Sequence, residues 1–182
     1  MLLIPNMQWQ ANQGIIHPMV SADFSHSERT ITVKFTVNEP LDCYRADVQE
    51  DNGHSWEDSC VEIFLQNPAN PAEYFNFETT SRGFILAARG TGRNDRQTLP
   101  FDAIAKIRRT GTAPSIQDNH IFWSMTIEIP AEIFGIEKFE EPLRGNLYKC
   151  ADKANTPHYL SAFRIETKKP DFHRPEFFKN FE

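Results

Sequence analysis

Apolar and polar residues alternate over Ile31-Thr32-Val33-Lys34-Phe35-Thr36-Val37, and this period of two, rich in β-branched side chains, predicts a half-buried strand ended by Pro40. Residues 59–66 predict a second strand, with Val61, Ile63 and Leu65 on one face and Cys60, Glu62 and Phe64 on the other. The turn-forming run Asn67-Pro68-Ala69-Asn70-Pro71 closes it. Residues 74–79 then set Phe75 and Phe77 toward the core and Tyr74, Asn76 and Glu78 away from it. A hairpin of these two strands brings Glu62 close to Asn76 and Glu78.

The series continues at 83–88, 104–109 and 121–129, the last with Ile121, Trp123, Met125, Ile127 and Ile129 inward, and at 143–150 and 159–165. Many short strands separated by turns predict an all-β fold, an antiparallel β-sandwich. One short helical turn is expected at 130–135, opened by Pro130 and stopped by Gly135. The tail from Lys168, rich in Pro and Phe, suits packing across the sandwich better than forming a regular element. With 182 residues and neither an internal repeat nor a low-complexity linker, the chain reads as one domain spanning 1–182.

Composition narrows the function classes. Hydrophobic residues make up 40% and aromatic residues 12%, enough to build a core. Nineteen basic against 25 acidic residues leave a net charge of −6 with no basic run, so nucleic acid is not an expected partner. No stretch reaches the roughly 18 consecutive apolar residues of a membrane span. Residues 1–10 hold a short apolar run without a preceding basic region and with Pro5 inside it, so the chain as written reads as cytoplasmic. Removal of a signal would place it in a secreted or periplasmic setting instead. Cys43, Cys60 and Cys150 are odd in number and widely spaced, which suggests free thiols and neither a disulfide framework nor a zinc motif.

The segment Ser55-Trp56-Glu57-Asp58-Ser59-Cys60-Val61-Glu62 is the richest in candidate chemistry. An indole offers an apolar face to the C–H side of a pyranose, and carboxylates such as Asp58 and Glu62 accept hydrogen bonds from neighbouring hydroxyls. The competing reading has Trp56 capping the sandwich and Asp58 closing a turn. Arg82 and Arg89 lie on or near the strand after the hairpin, where a guanidinium can bind vicinal hydroxyls or simply face solvent. Lys149, Asp152 and His158 surround one strand and its loop, either ringing a site or tying the loop down.

Taken together, Trp56-Glu57-Asp58-Ser59-Cys60-Val61-Glu62, Tyr74-Phe75-Asn76-Phe77-Glu78 and Trp123-Ser124-Met125-Thr126-Ile127-Glu128-Ile129-Pro130 resemble the pattern of family 9 carbohydrate-binding modules. Residues 145–153, 157–161 and 170–178 are similar to stand-alone members from gut-type bacteria. The resemblance runs from about Ile31 to the end. It implies a sandwich that binds mono- or oligosaccharides, in particular terminal units derived from xylan or cellulose, often beside a xylanase. It also implies a sugar held between two tryptophans with carboxylate, arginine and amide partners. Trp56 matches the first tryptophan, and Asp58 and Glu62 match acidic positions. Where the second tryptophan belongs, this chain has His158 and Tyr159.

An enzyme reading would use Asp58 with Glu62, or Glu62 with Glu78, as a glycosidase pair separated by about 5 to 9.5 Å. No GxSxG, phosphate-loop or HExxH motif is present. A third reading is a sandwich scaffold for haem or a protein partner. Asp171-Phe172-His173-Arg174-Pro175-Glu176 fits no zinc motif and reads as a network anchoring the tail. No cofactor is expected, although Asp47, Glu50, Asp51 and Asn52 crowd oxygen ligands as calcium likes, and family 9 modules can hold structural calcium.

Overall fold

The computed structural model describes residues 1–5, 9, 14, 16–140 and 142–181. In chain order its strands are β1 (Leu2–Leu3), β2 (Met19–His26), β3 (Thr30–Pro40), β4 (Cys60–Gln66), β5 (Tyr74–Thr80), β6 (Ile85–Gly90), β7 (Gln97–Thr98), β8 (Arg108–Gly111), β9 (Ser115–Gln117), β10 (His120–Pro130), β11 (Arg144–Cys150), β12 (Tyr159–Ser161) and β13 (Lys179–Asn180). They form two sheets. One is ordered β1-β2-β3-β10-β8, with β9 also pairing β10; the other is ordered β12-β11-β4-β5-β6-β7, with β13 also pairing β11. The all-β, antiparallel sandwich expected from the period-two pattern is the fold observed.

The β3–β10 ladder runs from His120 opposite Pro40 to Pro130 opposite Thr30. A proline closes the pairing on each strand because it has no N–H to donate. Ile31, Val33, Phe35 and Val37 from β3 and Ile121, Trp123, Met125, Ile127 and Ile129 from β10 meet Val61, Ile63, Leu65, Phe75, Phe77 and Ile85 of the second sheet. Each such fully buried side chain contributes about 1.5 to 3 kcal/mol.

The β4–β5 hairpin forms as expected, and its register sets Glu62 opposite Glu78 and Phe64 opposite Asn76. Its outer face is buried as well, because the C-terminal tail lies across it. Phe172 stacks on Tyr148 at 4.2 Å, and Phe178 meets Tyr74 edge-on at 5.8 Å. Tyr148 OH donates to the Phe172 carbonyl at 3.2 Å, and Tyr74 OH pairs with His173 Nδ1 at 2.7 Å. Trp9, Ile165, Phe172 and Phe178 thus form a second apolar cluster with Phe64, Tyr74 and Tyr148. At Gly145 on β11 a Cβ would collide with the Phe64 carbonyl, so glycine is needed for β11 to approach β4.

Two expectations are corrected. Residues 104–109 are not a strand: Pro100 precedes a short helix, α1 (Phe101–Ile104), and the strand begins only at Arg108. Besides the expected turn at Ala131–Phe134, ended by left-handed Gly135, 3₁₀ turns occur at Leu41–Cys43, Ser55–Glu57 and Pro175–Phe177.

Candidate functional site

A cleft of about 400 Å³ opens on the outer face of the second sheet, between the Ser55–Glu57 turn and the tail. This volume lies within the range of small-molecule sites, about 300 to 1,000 Å³. Its floor is the cross-strand pair Glu62 and Glu78 together with Cys150. Glu62, Glu78 and Asn76 share the face that β4 and β5 turn away from the inter-sheet core, so strand alternation brings them together.

One wall carries Trp56 and Asp152. The turn holding Trp56 is tied to the loop after β11, because Asp152 N donates to the Trp56 carbonyl at 2.9 Å and Lys153 N to that of Glu57 at 3.1 Å. His54 stacks on Trp56 at 4.6 Å. Tyr159, from β12, lines the same cleft, so of the two residues at the second-tryptophan position the tyrosine reaches it. The facing parts come from Arg93 and Arg96 and from the tail residues Lys169, Asp171, Phe172 and His173. Asp95 shapes the arginine loop by accepting from the Thr91 and Gly92 N–H groups at 3.1 and 2.7 Å. Gly90 lets that loop fold back, since a Cβ there would come within 2.8 Å of the Arg96 Cα. Arg93 then reaches Asp171 at 2.8 Å, and Arg96 reaches Glu78 at 3.4 Å.

Burial dominates the electrostatics. Glu62 is held well above the ordinary carboxylate range by desolvation and then by the neighbouring Glu78. Desolvation also raises Glu78, to about 7, against the lowering pull of Arg96 and Arg93. Glu78 Oε1 accepts from Asn76 Nδ2 at 2.9 Å, whereas its buried Oε2 has no hydrogen-bond partner among the described residues. Burial and the two arginines push His173 down to about 3, so it is neutral at physiological pH. For Asp171, burial acts upward but the hydrogen bond and charge of Arg93 outweigh it, leaving the group below its usual range.

Trp56, Glu62, Glu78 and Asp152 therefore converge on the cleft, with Asn76 bonded to Glu78 beneath it. The other residues singled out from the sequence lie elsewhere. Asp58 is fully buried and accepts from Arg45 at 2.6 Å and from the Val48 N–H at 2.7 Å, an anchor for the preceding loop that cannot pair with Glu62 across a substrate. Arg82 is exposed, over the Phe84 ring and 3.4 Å from the Ala46 carbonyl. Arg89 shares the face of β6 that carries Ile85 and Ala87, whereas Glu78 on β5 lies on the face of its partner Leu86, so Arg89 points away from the cleft. Lys149 alternates with Tyr148 and Cys150 and enters the space between the sheets. There its Nζ lies 2.9 Å from Glu39 and 2.7 Å from His158 Nε2, all three fully buried. In the 47–52 loop, Asp51 Oδ1 accepts from the Ile85 N–H and from Arg109, and Asn52 bonds Ala87 and Leu99. Both side chains are engaged with the fold.

Arg93, Arg96, Lys169 and His173 were not anticipated as site residues. Asp171 and His173 do anchor the tail, as the sequence suggested, and that anchoring is what aims them at the cleft.

The chain aligns over its full length with a Bacteroides uniformis protein inferred to bind carbohydrate, at 29% identity, a TM-score of 0.89 and 85% coverage of that protein. A family 9 carbohydrate-binding module of Caldicellulosiruptor kristjanssonii in complex with glucose matches 99% of this chain and 82% of its own at 10% identity and a TM-score of 0.61. Another structure from that organism, a family 9 module with cellotriose, matches 83% of this chain and 68% of its own at 11% identity and a TM-score of 0.52. At such identities these two speak for the fold alone. Nothing among curated proteins matches the chain. The model of carbohydrate-binding family 9 matches residues 2–182, and the chain belongs to that family.

Proposed function

We propose that the cleft between Trp56 and the tail binds a mono- or oligosaccharide without cleaving it, and that the ligand is a terminal unit of a plant-type glucan or xylan. The observation that carries this is the convergence of an indole and a tyrosine with buried carboxylates and two arginines in one cleft. Trp56 supplies the apolar surface for the C–H face of the ring, with Tyr159 beside it. Arg93 and Arg96 donate to ring hydroxyls while Glu78 and Asp152 accept from them. The Arg93–Asp171 and Arg96–Glu78 pairs fix these groups before the ligand arrives, which lowers the ordering cost of binding. Membership of a binding family supports a site that holds rather than cuts. The glucose and cellotriose complexes of the related modules make those sugars, with xylose, the first ligands to try.

Titration calorimetry should give dissociation constants between micromolar and millimolar, about −4 to −8 kcal/mol. Trp56→Ala should lose about 2 kcal/mol or more of binding while remaining folded. Unchanged affinity in a folded Trp56→Ala protein would remove the indole from the site, and release of reducing ends from any oligosaccharide bound would overturn the non-catalytic reading.

A further inference from the structure

The floor of the cleft holds a donor set that sugar recognition does not require. Cys60 and Glu62 are two apart on β4 and so point to the same side, and Cys150 lies directly opposite Cys60 on β11. Among the described residues these three form a group whose thiol and carboxylate atoms all lie within 4.8 Å of one another, and all three are buried. Cys150 Sγ donates to Glu62 Oε1 at 2.9 Å. Glu78, opposite Glu62, adds its unpartnered buried Oε2 to the same floor.

We propose that Cys60, Glu62 and Cys150 form a site for a thiophilic divalent cation of the zinc class, with Glu78 or a water from the cleft as fourth ligand. Two thiolates and one or two carboxylates are a donor set for zinc or cadmium and a poor one for calcium or magnesium, which want oxygen alone. Metal–sulfur and metal–oxygen bonds of about 2.3 and 2.0 Å put tetrahedral ligand atoms roughly 3.3 to 3.8 Å apart, so the 2.9 Å contact of Cys150 with Glu62 must open slightly and no other separation needs to close by more than about 1 Å. The electrostatics point the same way. Two carboxyl groups and two thiols are buried together on this floor, with Arg96 3.4 Å from Glu78. A dication would balance the negative charge that these groups take on as they give up their protons to bind it.

Binding is a ligand exchange without change of oxidation state. Each thiol S–H breaks as a metal–sulfur bond forms, any proton on Glu62 is displaced in the same way, and the protons leave to solvent through the cleft. Thiol and carboxyl ligands must be deprotonated to bind, so metal uptake releases protons and strengthens as the pH rises. Cys43, the remaining thiol, donates to the Ile16 carbonyl instead and serves as an internal control.

The test titrates the full chain, reduced and stripped of metal, with cadmium chloride, and follows the cadmium–thiolate charge-transfer band in the ultraviolet. The expected result is a saturating band at one cadmium per chain, lost in Cys60→Ser and in Cys150→Ser and retained in Cys43→Ser, with an unfolding midpoint that rises with zinc concentration. Glu62→Gln retains both thiols and should weaken cadmium binding about tenfold or more without abolishing the band, which keeps the test valid if a cysteine variant fails to fold. Absence of the band in wild-type protein under excess cadmium would overturn the proposal, as would a band lost only in Cys43→Ser. No sugar is present in this titration, so its failure would leave the carbohydrate reading untouched.

Discussion

Lys149 offers a test of how the sandwich tolerates charge in its interior. Its ammonium lies between the sheets, 2.9 Å from Glu39, 2.7 Å from His158 Nε2 and 3.0 Å from the Cys150 carbonyl, with no solvent access. Glu39 also accepts from Trp123 Nε1 at 2.7 Å. Lys149→Met keeps the stem's volume and removes the charge, leaving a carboxylate that must stay charged without its cation or take up a proton. Breaking one side of such a pair costs about 3 to 5 kcal/mol, whereas replacing both partners is often close to neutral. Lys149→Met should therefore lower the unfolding midpoint by about 6 to 20 °C. The double variant Glu39→Gln/Lys149→Met, in which the glutamine carbonyl still accepts from Trp123, should recover most of the loss. Urea unfolding followed by tryptophan fluorescence reads both, because Trp123 sits on the cluster. A single variant within about 1 kcal/mol of wild type, or a double variant as unstable as the two singles summed, would refute the assignment.

Two further outcomes follow from the same geometry. Asp58→Ala strands the Val48 N–H and takes from Arg45 its 2.6 Å partner, leaving it Asp47 at 2.9 Å, so it should cost about 1 to 3 kcal/mol in denaturant unfolding while leaving sugar affinity of the folded protein within about twofold; a large affinity loss without destabilisation would place Asp58 in the binding site after all. His158 is held well below its ordinary 6.5 by burial and by the Lys149 charge. The unfolded chain therefore binds a proton that the folded one refuses, and stability falls as pH drops below 6.5. Between pH 6.5 and 5 wild type should lose about 2 kcal/mol relative to His158→Gln, and parallel stability curves for the two proteins would contradict this.

What the sequence made legible follows from strand parity. Alternation in β3, β4, β5 and β10 marks the inward residues, and the hairpin it implies brings Glu62 near Asn76 and Glu78, although only the structure fixes the register. The same parity, carried into β6 and β11, would have turned Arg89 away from the cleft face and sent Lys149 inward with Leu147. Arg93, Arg96 and the tail residues were illegible as site groups for a different reason. They sit on irregular segments whose position depends on folding back over the sheet, and no period in the chain encodes that return. Nor did cysteine spacing suggest a ligand set, because Cys60 and Cys150 become neighbours only through β4–β11 pairing. Residues 104–109 depart from the expected strand because Ile104 and Ile107, both buried, are three apart, the spacing of a helical turn and not of one strand face, and a helix begun after Pro100 carries the first.

The tail that covers β4, β5 and β11 is at once lid to one apolar surface and wall to the cleft. A chain shortened before Thr167 would keep most of the packing between its sheets, losing Phe181 from its edge, yet uncover Phe64, Tyr74 and Tyr148 as a continuous sticky patch. Loss of ligand and gain of self-association would then arrive together, and well before the sandwich itself comes apart.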